Sequence, residues 1–252
     1  MYNKYQIVIK HNLDLSPDKW YFKSDIDYNA ILEHVTVEKG YEYLNVIKEE
    51  FKDIYQDYKN LLIELCYIND EYGKTVKHDY EEFCVCSPTC LRYIYHALLN
   101  LRYIQSKDLK TVNIIEIGGG YGGLCFFIHM LATIFDVNVT SYHIFDLQEA
   151  VELQRLYLSN LGIKKFTNST LYDIYNLSND SYLISNYCFS EIDRDIQKEY
   201  IEKIISKYTS CGMLVWNHIE LYRFVKKELI IEKERPLTSY IGSGVENKFV
   251  YF

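Results

Sequence analysis

The sequence lacks an excess of basic residues. Its 252 residues contain 27 Lys and Arg against 35 Asp and Glu, which gives a formal net charge of −8. Affinity for nucleic acid comes from clustered Lys and Arg that contact phosphates, so we expect no nucleic-acid partner. This charge is compatible with a small-molecule partner.

Long apolar runs are also missing. No apolar stretch approaches the roughly 20 residues that a membrane-spanning helix needs. The first residues, MYNKYQIVIKHNLDL, have neither the apolar core nor the small-residue cleavage site of a signal peptide. We therefore expect a cytoplasmic protein with no membrane partner. The sequence does not determine the oligomeric state, and a homodimer is one option.

The cysteines lack the spacing of a disulfide framework or of a metal site. They form an odd set that lies mostly inside apolar patterns: Cys66, Cys84, Cys86, Cys90, Cys125, Cys188 and Cys211. Cys84, Cys86 and Cys90 are close in sequence, but they have no paired CxxC spacing and no convincing fourth ligand. We expect reduced, buried thiols and no metal.

The first 108 residues have a helical pattern. Apolar residues recur at helical spacing over residues 18–35 and 38–67. Ser87 and Pro88 then precede a helix over residues 89–104, because proline is favoured at the first helical position. The pattern predicts an N-terminal helical cap, over residues 1–108, that helps to bind the substrate.

Residues 109–252 alternate between strand and helix patterns. Strands are predicted at 113–118, 137–147, 164–168, 181–187, 212–218 and 247–252, and helices at 123–135, 148–161, 194–208 and 220–231. Such alternation predicts an α/β fold, a doubly wound Rossmann-like domain with a parallel sheet covered by helices. Ligands of this fold bind beyond the carboxyl ends of the strands.

The segment TVNIIEIGGGYGG at residues 111–123 predicts a cofactor loop, because glycines let the backbone turn sharply beside a ligand. Gly118, Gly120 and Gly123 fit the dinucleotide pattern GxGxxG, which is weak alone. With Glu116 and Gly122, the loop also fits the ExGxGxG pattern of S-adenosylmethionine enzymes. The acid before the glycines and the helical region before the strand favour S-adenosylmethionine.

Other side chains are candidates for contacts with that cofactor. Asp146 closes the second strand and is expected to accept from the ribose hydroxyls, although it could instead cap the next helix. Asp136 has closer spacing but lies on the wrong edge of the sheet. Tyr121 is expected to cover the cofactor or to pack under the helix. Arg92 is expected to pair with the carboxylate of the cofactor or with a surface acid.

Six segments that are spread over most of the chain carry a resemblance to a known family: IIEIGGGYGG, YHIFDL, SYLISNYCFSE, GMLVWNH, ILEHV and SPTCLRY. They resemble the sugar O-methyltransferases, a family of class I S-adenosylmethionine-dependent enzymes. The resemblance implies methyl transfer to a hydroxyl of a sugar that is free, nucleotide-linked or part of a glycan. Cys90 departs from it, because a hydroxyl residue is expected there.

Three other functions stay open. The chain could methylate another small hydroxylated metabolite, or bind S-adenosylmethionine without catalysis as an accessory protein of glycan assembly. A nicotinamide-dependent oxidoreductase is the third alternative, because the loop also fits the dinucleotide pattern.

The catalytic candidates follow the later strands. His218 is expected at the substrate edge as a general base, and Glu191 is expected there either to position sugar hydroxyls or to act as the base. The alternatives are that His218 caps a helix and that Glu191 complements a helix dipole. Asn186 is expected at the methionine end of the cofactor, and Tyr187 beside the substrate. His34, in ILEHV, is expected to reach the acceptor from a cap helix.

Overall fold

The N-terminal part of the protein is mostly helical. The structure is a computed structural model, and it describes residues 2–237 and 246–252. The N-terminal elements are α1 (Tyr2–Leu13), α2 (Ile26–Asn29), α3 (Val37–Glu50), α4 (Lys52–Asn69), a hairpin of β1 (His78–Tyr80) and β2 (Cys84–Cys86), and α5 (Pro88–Ser106). Ser87 caps α5 by accepting from the backbone N–H of Cys90, which confirms the predicted start of this helix.

The predicted helix over residues 18–35 is wrong. This segment contains two 3₁₀ turns, Pro17–Lys19 and Phe22–Ser24, and the single turn of α2. The side chain of Asn12, on α1, accepts from the backbone N–H groups of Tyr21 and Phe22 and holds the segment in an irregular path. Local hydrogen bonds of this kind override helical spacing.

A seven-stranded sheet forms the rest of the fold. Its elements are β3 (Thr111–Ile117), α6 (Gly123–Leu131), β4 (Asn138–Phe145), α7 (Gln148–Asn160), β5 (Thr167–Ser169), β6 (Ser181–Asn186), α8 (Cys188–Glu191), α9 (Arg194–Tyr200), α10 (Ser206–Tyr208), β7 (Thr209–Trp216), β8 (Ile230–Lys233) and β9 (Lys248–Tyr251). The strand order is β5, β4, β3, β6, β7, β9, β8, and only the pairs of β9 are antiparallel. The chain therefore has the predicted Rossmann-like α/β fold, with a switch point between β3 and β6.

The predicted helix over residues 220–231 is also wrong. Residues 217–229 form turns and loop, and β8 then pairs with β9 at the edge of the sheet. The ring of Phe224 stacks on Trp216 with 5.5 Å between centroids, and the indole N–H of Trp216 donates to the carbonyl of Ile219. Aromatic packing thus anchors the segment in a non-helical path.

Helices cover both faces of the sheet. On one face the N-terminal helices pack with α6 and α7 in the larger apolar core, and α5 is buried along almost its whole length. Side chains of opposite parity, such as Ile115 and Phe145, form a second core on the other face. The boundary after residue 108 falls between α5 and β3. None of the described helices is long and apolar enough to cross a membrane.

Candidate functional site

The glycine-rich segment forms a turn between β3 and α6. Gly118, Gly120 and Gly122 have φ angles of +78°, +58° and +96°, a region that favours glycine. The backbone N–H of Gly118 donates to the carbonyl of Phe145 at 2.8 Å, and that of Gly120 donates to Oδ2 of Asp146 at 3.0 Å. The turn is therefore fixed to the carboxyl end of β4, as a ligand site of this fold requires.

Glu116 is buried directly beneath this turn. It is 2% exposed, and its Oε2 accepts from the hydroxyl of Tyr142 at 2.9 Å. The pKa of Glu116 is raised to about 8, mainly because the carboxyl is buried. The hydrogen bond from Tyr142 lowers the pKa, and the charge of Asp146 raises it. At neutral pH the carboxyl group therefore holds its proton, and a cationic ligand would favour its release.

Asp146 has a polar role at the turn and does not cap α7. Its Oδ2 also accepts from Nε2 of Gln154 at 2.9 Å, and its Oδ1 accepts from the N–H of Leu147, the residue at the N-cap of α7. Burial raises the pKa of Asp146 to about 6, although its hydrogen bonds lower it. The rival Asp136 is exposed and pairs with Lys110 at 2.9 Å, so it lies at the opposite edge.

Two side chains from other segments pack on the glycine turn. A Cβ added to Gly118 would overlap Cβ and Sγ of Cys188, the first residue of α8. A Cβ added to Gly120 would lie 2.8 Å from Cδ1 of Leu32. The absence of side chains in the turn thus lets α8 and the segment after α2 approach it closely.

The predicted role of Tyr121 over the cofactor is wrong. Its side chain is fully buried, with ring centroids 4.9 Å from Tyr157 and 5.7 Å from Phe22 and Tyr93. The ammonium group of Lys23 lies 4.2 Å from the centre of its ring. Tyr121 therefore packs under the helices, which was the alternative interpretation.

Arg92 and His96 lie one turn apart on α5 and are both buried. Nη2 of Arg92 donates to the carbonyl of Leu32 at 2.8 Å, so the alternative of a surface ion pair is wrong. Burial lowers the pKa of His96 to about 3, and the charge of Arg92 contributes. Nδ1 of His96 lies 3.0 Å from Nδ2 of Asn186. This contact joins α5 to the carboxyl end of β6, and spacing in the sequence does not predict it.

Asn186, at the carboxyl end of β6, keeps an unused acceptor. Its Oδ1 is buried and has no hydrogen-bond partner among the described residues, and the same holds for Nε2 of His96. Buried polar groups are nearly always paired in folded proteins. Two unpaired groups on residues that contact each other, next to the carboxyl end of β6, indicate a place for a polar ligand.

Tyr187 lies near Arg92, and His34 belongs to the segment whose Leu32 carbonyl accepts from Arg92. Tyr187 has a φ angle of +66°, its hydroxyl donates to Oε1 of Glu234, and the guanidinium of Arg92 lies 5.8 Å from its ring centre. His34 is exposed in residues 30–36, which form turns and loop, so the predicted cap helix that carries it is wrong.

A cavity of about 500 Å³ lies beyond β6 and β7 and brings Glu191 and His218 together. Its lining consists of Ser190, Glu191, Ile192, Asp193, Arg194, Gln197, His218, Ile219, Glu220 and Tyr222. Oε1 of Glu191 accepts from Nδ2 of Asn217 at 2.6 Å, while His218 is exposed. No helix follows His218 in the described residues, so the interpretation of His218 as a helix cap is wrong. His34 does not line this cavity.

The short helix α8 connects this cavity to the glycine turn. Cys188, which packs on Gly118, begins α8, and Glu191, which lines the cavity, ends it. Three residues of helix rise only about 4.5 Å. The two features therefore belong to one site at the carboxyl edge of the sheet.

Comparisons with known proteins give matches in structure alone. No family model matches the chain, and no curated protein matches it. Its fold is similar to PKMT2 from Rickettsia typhi in complex with AdoHcy, at 15% identity and a TM-score of 0.35, over 44% of this chain and 22% of that one. It is also similar to YcgJ from Bacillus subtilis, at 15% identity and a TM-score of 0.36, over 49% of this chain and 51% of that one.

A third similar structure is a SAM-dependent methyltransferase from Aquifex aeolicus, at 13% identity and a TM-score of 0.38, over 60% of this chain and 87% of that one. The match spans less than two thirds of the length of the first two proteins. At these values the likeness is to the sheet and its helices, and function has to be argued from the residues of the site.

Replacing Gly118 by Ala is expected to destabilise the fold more than replacing Gly162, which provides a matched control. Both have almost the same φ, +78° and +77°, but a Cβ on Gly162 meets nothing within 4 Å. Gly162→Ala should cost roughly 1–2 kcal/mol in free energy of unfolding, and Gly118→Ala roughly 1–3 kcal/mol more, because of overlap with Cys188. Urea unfolding measures both values, and equal losses would contradict the packing.

The stability of the protein is expected to depend on pH through Glu116. The pKa of Glu116 rises from 4.5 to about 8 on folding. The stability contributed by its protonated carboxyl is therefore fully present below pH 4.5 and is lost as pH rises through 8. Relative to Glu116→Gln, the wild type should lose free energy of unfolding between pH 5 and 8, by at most about 1.4 kcal/mol per pH unit. Chemical denaturation at several pH values tests this, and parallel curves for the two proteins would refute it.

Proposed function

We propose that this protein is an S-adenosylmethionine-dependent methyltransferase that transfers a methyl group to a hydroxyl of a sugar. One observation carries the proposal. The glycine turn with its two acids, Glu116 and Asp146, and the cavity with Glu191 and His218 lie at the same sheet edge, one turn of α8 apart. A methyl donor and an acceptor hydroxyl need this proximity, because alignment of the reacting atoms supplies much of the rate.

The residues at the turn fit the cofactor chemically. The carboxyl of Glu116 and the unpaired Oδ1 of Asn186 suit a cationic amino group, and the carboxylate of Asp146 suits two ribose hydroxyls. Bound there, S-adenosylmethionine supplies an electrophilic methyl group that passes to a hydroxyl oxygen as its bond to sulfur breaks. The guanidinium of Arg92 suits the cofactor carboxylate once it exchanges its bond to the carbonyl of Leu32.

Leu32 contacts both the glycine turn and Arg92, where we propose that the cofactor binds. Its side chain packs on Gly120 and its carbonyl accepts from Arg92. Residues 30–36 contain neither helix nor strand, so they can move without the loss of a regular element. We infer that this segment withdraws when the cofactor binds and then closes over it.

The cavity suits an uncharged, polyhydroxylated acceptor. Three acids, Glu191, Asp193 and Glu220, line it against one guanidinium, that of Arg194. This balance favours the neutral part of a sugar over a diphosphate group, so the nucleotide of a nucleotide sugar would lie outside. Carboxylates accept from sugar hydroxyls, and a cavity of about 500 Å³ has the size of small-molecule sites. The resemblance to sugar O-methyltransferases supports the same acceptor.

Proton removal is assigned to His218, with Glu191 as the group that orients the hydroxyl. His218 is exposed to the cavity and free of a helix, while Glu191 is held by Asn217. As the oxygen attacks, its proton passes to the imidazole ring. Such a base contributes about 10²–10⁴-fold to the rate.

A second candidate function is a non-catalytic, cofactor-binding role in glycan assembly. The observation that favours it is that the groups suited to the methyl donor lie at the turn, whereas Glu191 and His218 are exposed in the cavity, so binding of the donor does not depend on them. A further alternative is methyl transfer to a small hydroxylated metabolite that is not a sugar. It would use the same residues, and assays with different acceptors distinguish it from transfer to a sugar.

Asp146→Asn is expected to weaken binding of S-adenosylmethionine about 10- to 100-fold, because hydrogen bonds to a charged group contribute roughly 1.5–3 kcal/mol. Asp136→Asn is the matched control, since Asp136 is exposed and pairs with Lys110 away from the turn. Isothermal titration calorimetry measures both affinities, with circular dichroism to check folding. Equal affinities for both variants and the wild type would refute the assignment of the ribose site.

His218→Gln is expected to lower kcat for methyl transfer about 10²–10⁴-fold without a change in affinity for the methyl donor. Glu191→Gln should mainly raise KM for the acceptor, because Glu191 orients the hydroxyl. Glu220→Gln, in the same cavity, should change both constants less than threefold. The assay follows label from the methyl donor into a panel of free sugars, nucleotide sugars and oligosaccharides, with mass and linkage analysis of products.

Three results would contradict the proposal. Label in phenolic or lipid acceptors alone would refute the sugar acceptor. Tight binding of the methyl donor without transfer to any acceptor would support the accessory role. Binding of nicotinamide nucleotides in place of the methyl donor would refute both.

A further inference from the structure

Three cysteines that are far apart in sequence meet in one buried place. The Sγ atoms of Cys66, Cys84 and Cys86 all lie within 4.8 Å of one another. Cys66 and Cys86 are fully buried, and Cys84 is 7% exposed. All three thiols are free. The cluster lies outside the proposed methyl-transfer site.

The local structure explains this convergence. Residues 84–86 form β2, whose alternating burial places Cys84 and Cys86 on the inner face and Val85 on the outer face. Cys66 lies in the last turns of α4, which packs on β2. Spacing in the sequence hides the cluster, because Cys66 comes 18 residues before Cys84 on a different element.

Cys90 provides a fourth thiol. It lies in the first turn of α5 and is fully buried, and its Sγ is 3.8 Å from the carbonyl oxygen of Cys66. Its thiol also lies 3.1 Å from Oδ1 of Asp70, which accepts from the hydroxyl of Ser87 as well. Asp70 thus orients the start of α5 and Cys90 with it. Cys90 is therefore the candidate for a fourth ligand, which the spacing in the sequence does not reveal.

We propose that Cys66, Cys84, Cys86 and Cys90 form a structural zinc site. Thiolates are preferred zinc ligands, and four of them form closed, tetrahedral structural sites. Zn–S bonds of about 2.3 Å place tetrahedral sulfurs about 3.8 Å apart. The three clustered Sγ atoms are already within 4.8 Å, so small side-chain shifts bring them to zinc. Cys90 would complete the set once its Sγ leaves its contacts with Asn69 and Asp70.

The site would fasten three elements to one another. It joins the end of α4, the β1–β2 hairpin and the start of α5. Residues 70–77 between α4 and the hairpin contain neither helix nor strand. The metal would therefore hold these two elements together where no regular structure connects them. Because α5 also carries Arg92 and His96, the zinc would position the helix that contributes to the methyl-transfer site.

The test measures metal in the full-length protein. After purification with reductant and without chelator, mass spectrometry of the metals should find about one zinc per chain. Cobalt added to the metal-free protein should give the intense charge-transfer absorption of tetrahedral thiolate coordination. Absence of both signals would overturn the proposal, and iron in place of zinc would overturn the choice of metal.

Variants locate the ligands. Cys84→Ser and Cys86→Ser should each lower zinc affinity at least about tenfold in competition with a chromophoric chelator, because a zinc–thiolate bond is lost. Cys211→Ser is the matched control, since Cys211 is a buried free thiol on β7 and should leave affinity unchanged. Full affinity in the Cys84 and Cys86 variants would refute the site. Full affinity in Cys90→Ser would refute Cys90 as the fourth ligand.

Discussion

The contact between Cys188 and Gly118 is the constraint on which the rest of the site depends. Only a residue without Cβ leaves room for the start of α8 against the glycine turn. That contact fixes the direction of α8, and so it sets where Glu191 stands relative to the turn. The cavity that includes His218 is built beyond it. Close packing at one glycine thus connects the proposed cofactor turn with the proposed acceptor cavity.

The site concentrates polar groups that are costly to bury. The carboxyls of Glu116 and Asp146 have raised pKa values, of about 8 and 6, because burial removes them from water. Oδ1 of Asn186 is buried and unpaired among the described residues. Such groups oppose folding unless a ligand completes them. This cost gives physical support to a cationic, hydrogen-bonding ligand, independently of the glycine pattern.

The N-terminal region does more than cap the sheet. Leu32 packs on Gly120 and accepts from Arg92, so one residue contacts both the turn and the arginine assigned to the cofactor carboxylate. Farther along, the thiols of Cys66, on α4, and of Cys84 and Cys86, on the hairpin, lie together beside the start of α5. The same region thus contains both the segment that we propose to cover the cofactor and the thiols that we propose to hold α5 in place.

The sequence by itself determined the parallel sheet, the glycine turn and the placement of Asp146, because strand periodicity and glycine conformation are local properties. It failed at residues 18–35 and 220–231, where the side chain of Asn12 and the ring of Trp216 hold non-helical paths. Only tertiary structure decided that Tyr121 packs in the core, that His96 meets Asn186, and that Cys66 joins two later cysteines. These outcomes depend on contacts between distant segments, and local pattern carries no information about which segments meet.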